Sequence, residues 1–129
     1  MKHKVAVYGS LLSGFSNHQL LSTSKYLGVT VVEGFDMYSL TAFPAVTPTK
    51  GGRIVAEVYE IDEPTLERLD RLESYPRFYN RMKTPVKTID YKGEAWIYFI
   101  DNLEPWHRPG ANLPYVETGS WREYRTAGA

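Results

Sequence analysis

The sequence contains no cysteine, which excludes disulfide bonds, a thiolate nucleophile and metal or iron–sulfur sites built on cysteine. It also lacks net charge, because 15 acidic residues balance 15 basic ones, so no overall field attracts nucleic acid or an acidic membrane surface. No apolar stretch approaches the ~20 residues of a membrane span. We therefore expect a cytoplasmic protein that binds neither nucleic acid nor membrane and acts on a small neutral or zwitterionic molecule.

What the sequence does contain suits one cored domain over residues 1–129, with 43% hydrophobic and 23% charged residues. Strand patterns cover residues 5–8, 26–40, 53–61, 79–89 and 94–100; the last two are expected to form a hairpin, with 94–100 central and Pro85 marking an edge or bulge. Two prolines and a glycine pair predict a loop over 41–52, able to border a site. After Asp101 we expect an ordered tail anchored by its tryptophans, frayed at 126–129.

One short helix carries an acid in an unusual place. Pro64 suits its first turn, and Leu66, Leu69 and Leu72 share one face, which we expect to pack on the core. Glu73 follows Leu69 by four residues, so its carboxylate projects from the same apolar face.

Burial and the negative end of the helix dipole both raise the pKa of a carboxyl at this position. A carboxyl with a pKa near neutrality can take up and return a proton, as a general acid/base must. The alternative is a glutamate at the rim that reaches water or pairs with Arg77 or Arg81, since ion pairs also perturb carboxylates.

The second feature is the loop over residues 9–16, which joins the first strand to a helix that Ser16 or Asn17 can cap. Glycines in such loops let successive backbone N–H groups point into one concavity that suits a carboxylate, a phosphate or a developing oxyanion. The spacing matches neither a dinucleotide-binding loop nor a phosphate loop. A purely structural turn is the alternative.

Three other site types have weaker support. Ser10 lacks the glycine bracket of a nucleophile elbow and would need His18 or His107 as a base. The histidines at 3, 18 and 107 show no paired metal-ligand spacing. Basic and aromatic side chains alternate between residues 75 and 83 as in some nucleic-acid surfaces, but without net positive charge a solvated strand face is favoured. That set comprises Tyr75, Arg77, Phe78, Tyr79, Arg81 and Lys83.

Several motifs, in their order and spacing over most of the chain, resemble the γ-glutamylcyclotransferase-like family, including the γ-glutamylamine cyclotransferases. They are Val7-Tyr8-Gly9-Ser10-Leu11, Gly14, Asn17-His18, Leu21, residues 55–59, Leu69-Asp70-Arg71-Leu72-Glu73, Tyr75-Pro76, Tyr79-Asn80-Arg81, and Trp121 with Tyr124. Ser10 and Ser74 stand where the family often has threonine and glycine, and Ser120 stands where an aspartate is often found.

The resemblance implies an α+β fold, a small mixed β-barrel-like sheet with flanking short helices. It also implies that Tyr8, Gly9, Ser10 and Leu11 bind a γ-glutamyl group and that Glu73 is the catalytic acid/base, with no cofactor or metal. Tyr98 could add a hydroxyl to the pocket, although a core tyrosine is the alternative.

The implied reaction is attack of the substrate's own α-amine on the γ-carbonyl, which releases 5-oxoproline and a free amine. The rival interpretation is a non-catalytic module that uses the same fold to bind a small ligand or partner. The sequence specifies neither the leaving amine nor the oligomeric state.

Overall fold

The computed structural model describes residues 2–40, 42–101 and 114–126, and this part of the chain forms a five-stranded sheet with short helices. The elements in chain order are β1 (Lys2–Val7), a 3-10 helix (His18–Leu21), β2 (Lys25–Ser39), β3 (Pro44–Asp62), α1 (Glu63–Leu72), β4 (Asn80–Lys87), β5 (Lys92–Phe99) and α2 (Trp121–Thr126). The strands lie in the order β2-β3-β1-β5-β4, with β1 and β5 parallel and the other neighbours antiparallel.

The sheet curls until its two edge strands approach each other. The backbone N–H of Lys87 donates to Thr30 Oγ1 at 3.3 Å, and Thr88 Oγ1 donates to the carbonyl of Leu27 at 2.6 Å. Apolar side chains from all five strands form the buried core. This is the α+β, barrel-like sheet that the sequence predicts.

The α1 helix begins as predicted and ends one residue before Glu73. Asp62 caps it, because its side chain accepts a hydrogen bond from Thr65 N at 2.9 Å, and Pro64 lies in the first turn. Leu66 and Leu69 are buried as expected, but Leu72 is 38% exposed. The prediction for Leu72 is wrong because the helix ends there, at the rim of a cavity instead of over the core.

The predicted loop over 41–52 is also wrong from Pro44 onward, since residues 44–52 belong to β3. Pro44 pairs with Ser39 and Pro48 with Phe35 of β2. The sheet bends here, with a register irregularity between Glu33 and Phe35, and a Cβ on Gly52 would lie 2.5 Å from the carbonyl oxygen of Phe35. The glycine pair therefore marks a bend within a strand.

The β4–β5 hairpin is confirmed, and Pro85 lies on the edge strand β4. β5 is an interior strand, but the central position belongs to β1, so the prediction that 94–100 is central is wrong by one strand. In the tail, Trp121 is buried and stacks on Tyr124. Trp106, His107 and residues 127–129 lie outside the described residues.

Candidate active site

A cavity of about 340 Å³ opens where β1 ends, beside the start of β3 and the C-terminal end of α1. Its lining includes every residue that the sequence analysis names for a γ-glutamyl site: Tyr8, Gly9, Ser10, Leu11, Glu73 and Tyr98. Four further residues also line it, although sequence reasoning gave them no role in this site: Asn17, Leu72, Phe78 and Tyr79. Phe43 and Pro44, from the stretch expected to border a site, do border it.

Glu73 is half-buried and follows the last residue of α1, with its backbone N–H donating to the carbonyl of Leu69 at 2.9 Å. Burial raises the pKa of its carboxyl from 4.5 to about 7. Among the residues that the structure describes, no cation or hydrogen-bond donor pairs with this carboxylate. Arg81 pairs with Asp70, and Arg77 is exposed. The upward shift predicted from the sequence is therefore confirmed, with desolvation as its cause.

Three tyrosines surround this carboxyl, and each hydroxyl donates elsewhere at 2.7 Å. Tyr8 donates to the carbonyl of Tyr98, Tyr79 to the carbonyl of Pro44, and Tyr98 to Asp70 Oδ1. Burial, followed by smaller contributions that include the negative charge of Glu73, raises the phenol pKa of all three. The three rings therefore line the cavity as neutral groups. The Tyr98 hydroxyl is engaged by Asp70 and does not offer a free donor to a ligand in the cavity.

In the loop after β1, the backbone carbonyls of residues 9–11 accept hydrogen bonds, whereas their backbone N–H groups remain free, within the described part of the chain, to bind a ligand. The carbonyl of Gly9 accepts from Leu12 N at 3.0 Å, that of Ser10 from Asn17 N at 2.9 Å, and that of Leu11 lies 2.9 Å from His18 Nδ1. The backbone N–H groups of Gly9, Ser10 and Leu11 donate to no acceptor among the described residues. Three consecutive free amides on a cavity wall suit a carboxylate or an oxyanion.

Glycine is required at position 9 by space. A Cβ there would lie 2.8 Å from Pro44 Cγ and 2.9 Å from Pro44 Cδ, so the loop packs directly on the proline that begins β3. Any larger residue must push the loop and this proline apart. The predicted binding loop is thus held against β3 by a contact that only glycine allows.

Sequence reasoning missed Glu57, which anchors the far end of this loop. The side chain is almost fully buried on β3 and accepts hydrogen bonds from Ser13 N at 3.0 Å, Ser13 Oγ at 3.1 Å, Tyr59 Oη at 2.9 Å and Arg122 Nη2 at 3.1 Å. Arg122, on α2, also donates to the Ser13 carbonyl at 2.7 Å. A lone carboxylate within the apolar run 54–59 was the available signal.

The alternative sites find no support in the geometry. Ser10 Oγ accepts a hydrogen bond from Asn17 Nδ2 at 2.8 Å, and His18 is engaged by Leu11, so no described histidine serves Ser10 as a base. The described residues also bring together no group of three side chains suited to a metal ion. Phe78 and Tyr79 line the cavity instead of a strand face open to nucleic acid.

Comparison with known proteins agrees with this arrangement. The family described as "Gamma-glutamyl cyclotransferase, AIG2-like" matches residues 5–123. The chain belongs to this family. The match includes all six predicted site residues and Glu57, which anchors the far end of the loop.

Relatives of this γ-glutamylcyclotransferase family match over nearly the whole chain. MJ1514 of Methanocaldococcus jannaschii, whose name assigns it provisionally to the γ-glutamylcyclotransferases, is 40% identical over 124 residues, 94% of this chain and 97% of its own. The family protein YtfP of Escherichia coli K12 is 32% identical over 120 residues, 92% and 95% of the two chains.

Among solved structures, the uncharacterized protein PH0828 of Pyrococcus horikoshii matches with a TM-score of 0.76 and 28% identity, covering 98% of this chain and 95% of the other. The family and the fold expected from the sequence motifs are therefore confirmed. As a separate finding, no helix in the described ranges is long and apolar enough to cross a bilayer.

Proposed function

We propose that this protein is a cofactor-independent cyclotransferase that cleaves a γ-glutamyl amide to 5-oxoproline and a free amine. The observation that carries the proposal is the Glu73 carboxyl, which is unpaired among the described residues and has a pKa near 7, in the same cavity as the loop of residues 8–11. The names of the two relatives support the reaction class.

In the proposed reaction the substrate's α-amine attacks its own γ-carbonyl carbon. A C–N bond forms in a five-membered ring, the original amide C–N bond breaks, and no water is consumed. The protein's first task is to hold the chain folded, because well-oriented intramolecular attack can reach very high effective molarities. The walls of the cavity, Tyr8, Tyr79 and Pro44 among them, supply the shape for this.

The second task is to move one proton. Glu73, ionised at the start, takes a proton from the attacking amine and returns it to the departing nitrogen, so it is regenerated in each turnover. The free N–H groups of Gly9, Ser10 and Leu11 bind either the substrate's α-carboxylate or the oxygen that becomes negative during attack. No protein nucleophile takes part in this scheme.

The test is release of 5-oxoproline from a panel of γ-glutamyl peptides, γ-glutamyl-lysine and simple γ-glutamylamines. We expect turnover of at least one substrate by the wild type and a loss of about 10²- to 10⁴-fold in kcat for Glu73→Gln. Glu67→Gln is the matched control, because Glu67 lies exposed on the same helix. Equal activity of Glu73→Gln and wild type would remove Glu73 from the mechanism. Substrate binding without turnover by the wild type would indicate a binding module instead.

A further inference from the structure

A second acid lies three residues before Glu73, and its carboxylate is fully engaged. Asp70 Oδ1 lies 2.9 Å from Arg81 Nε, and Asp70 Oδ2 lies 3.2 Å from Arg81 Nη2. The same Oδ1 also accepts the Tyr98 hydroxyl at 2.7 Å. Both partners of the ion pair are largely sheltered, with 21% of the Asp70 side chain and 15% of the Arg81 side chain exposed. This is the two-pronged geometry in which arginine binds a carboxylate most firmly.

The guanidinium of Arg81 also contacts two aromatic rings. Its central carbon lies 4.4 Å from the centre of the Tyr75 ring and 4.3 Å from the centre of the Trp96 ring. On the sheet, Arg81 of β4 lies opposite Tyr98 of β5, whose ring lines the cavity. A permanent positive charge therefore lies behind Tyr98, which lines the same cavity as Glu73 and whose phenol pKa is influenced by Arg81 and Glu73 alike.

We propose that Asp70 is a positioning residue that holds and neutralises Arg81 and binds the Tyr98 hydroxyl, so that neither pairs with Glu73 in the cavity. The inference rests on the proposed function only for its catalytic consequence. Its electrostatic part concerns the free protein and can be measured without substrate.

The groups that face Glu73 from each neighbouring element agree with this role. Tyr8 at the end of β1, Tyr98 on β5 and Tyr79 in the segment after α1 are neutral and donate to other acceptors. On the side of the 3-10 helix, Asn17 is bonded to Ser10 and His18 to Leu11, and the other polar side chains, Ser16 and Gln19, carry no charge. Arg81 is thus the cation that we expect to act on Glu73 when its own partner is removed.

The consequence for Glu73 follows from simple electrostatics. An opposite charge within about 4 to 6 Å lowers the pKa of a carboxyl by about 1 to 3 pH units. Without the negative charge of Asp70, Arg81 either acts from its present place or swings toward the cavity, and both favour ionised Glu73. Glu73 would then remain a carboxylate at lower pH, but it would be a weaker base and would hold a proton less well for the leaving amine.

The experiment titrates the ¹³C-labelled side-chain carboxyl of Glu73 by NMR in the free protein, with the signal assigned from Glu73→Gln. We expect Asp70→Asn to move the midpoint to lower pH by about 1 unit or more. The double variant Asp70→Asn with Arg81→Met should return it to the wild-type position within about half a unit, because both charges are then gone. Glu67→Gln removes one negative charge from the exposed face of the same helix and should leave the midpoint in place.

Two results would overturn the inference. An unchanged midpoint in Asp70→Asn would show that Asp70 does not shield Glu73 from Arg81. A midpoint equally low in the single and double variants would assign the effect to the charge of Asp70 alone. The acid limb of the pH profile of kcat/KM should follow the NMR midpoints. If the NMR shifts occur but no γ-glutamyl substrate is turned over, the proposed function fails while the role of Asp70 stands.

Discussion

Replacing Glu73 with glutamine is expected to stabilise the protein at alkaline pH, and the gain should shrink as the pH falls. The folded-state pKa of Glu73 lies above its ordinary value because burial disfavours the charged form. The native state therefore holds this proton more tightly than the unfolded chain does. The resulting contribution to stability is fully present below the ordinary pKa of 4.5 and is lost as the pH rises through about 7. Glutamine has no proton to lose and keeps that contribution.

The size of the effect follows from the two pKa values. A pKa shift from 4.5 to about 7 corresponds to about 3 kcal/mol, since a shift of one pKa unit is worth about 1.4 kcal/mol. Most of this change falls between about pH 5 and about pH 8, where we expect the difference between Glu73→Gln and wild type to grow by roughly 2 to 3 kcal/mol. Glutamine fills nearly the same volume as glutamate, so the comparison isolates the charge.

The assay is urea denaturation of both proteins at these two pH values, with the free energy of unfolding extrapolated to water. Other titrating groups affect both proteins alike, so they cancel in the difference. Glu67→Gln, on the exposed face of α1, should show no comparable pH dependence. A difference between Glu73→Gln and wild type that stays constant from about pH 5 to about pH 8 would refute the claim that the folded protein perturbs this carboxyl.

Three further predictions address catalysis and the binding loop. For the cyclisation reaction, kcat/KM should fall tenfold per pH unit below about 7, because the free enzyme needs ionised Glu73; a flat profile down to about pH 5 would contradict this. Gly9→Ala should raise KM with a smaller effect on kcat, because its Cβ displaces the loop from Pro44, and unchanged steady-state kinetics would contradict the contact. Arg122→Ala should destabilise the protein by about 1 to 2 kcal/mol in urea melts, because it removes a charged partner of buried Glu57. An equal loss in exposed Arg77→Ala would argue against that specific pair.

The predictions that succeeded rest on local signals. The first-turn Pro64 and the spacing from Leu69 to Glu73 both act within a few residues, so the sequence alone places the acid at the inner end of the helix. The raised pKa followed from that position. The family motifs added the link between this helix and the loop of residues 8–11, which spacing by itself does not provide.

The predictions that failed depend on pairing between distant residues. Pro44, Pro48 and the glycine pair at 51–52 have the composition of a loop, yet pairing with β2 makes them part of a long bent strand. Leu72 lies on the helix face that packs on the core. Its burial, however, depends on the path of the chain after α1, which the helical spacing does not predict. Two partners of Glu57 are far away in sequence, at positions 13 and 122, so no local sequence pattern predicts these contacts.

The position of Glu73 follows from the lengths of two elements. Lys2 pairs with Asp62, so α1 begins beside the start of β1, and it packs back against that strand. A helix of 10 residues advances about 15 Å, while the six residues of β1 span about 20 Å, so the two elements end within about one helical turn of each other. The acid after the helix therefore meets the loop after the strand. A helix shorter by one turn would increase that difference to about 10 Å and move Glu73 away from the free amides of that loop. The cavity thus depends on the matched lengths of β1 and α1 as much as on the residues that line it.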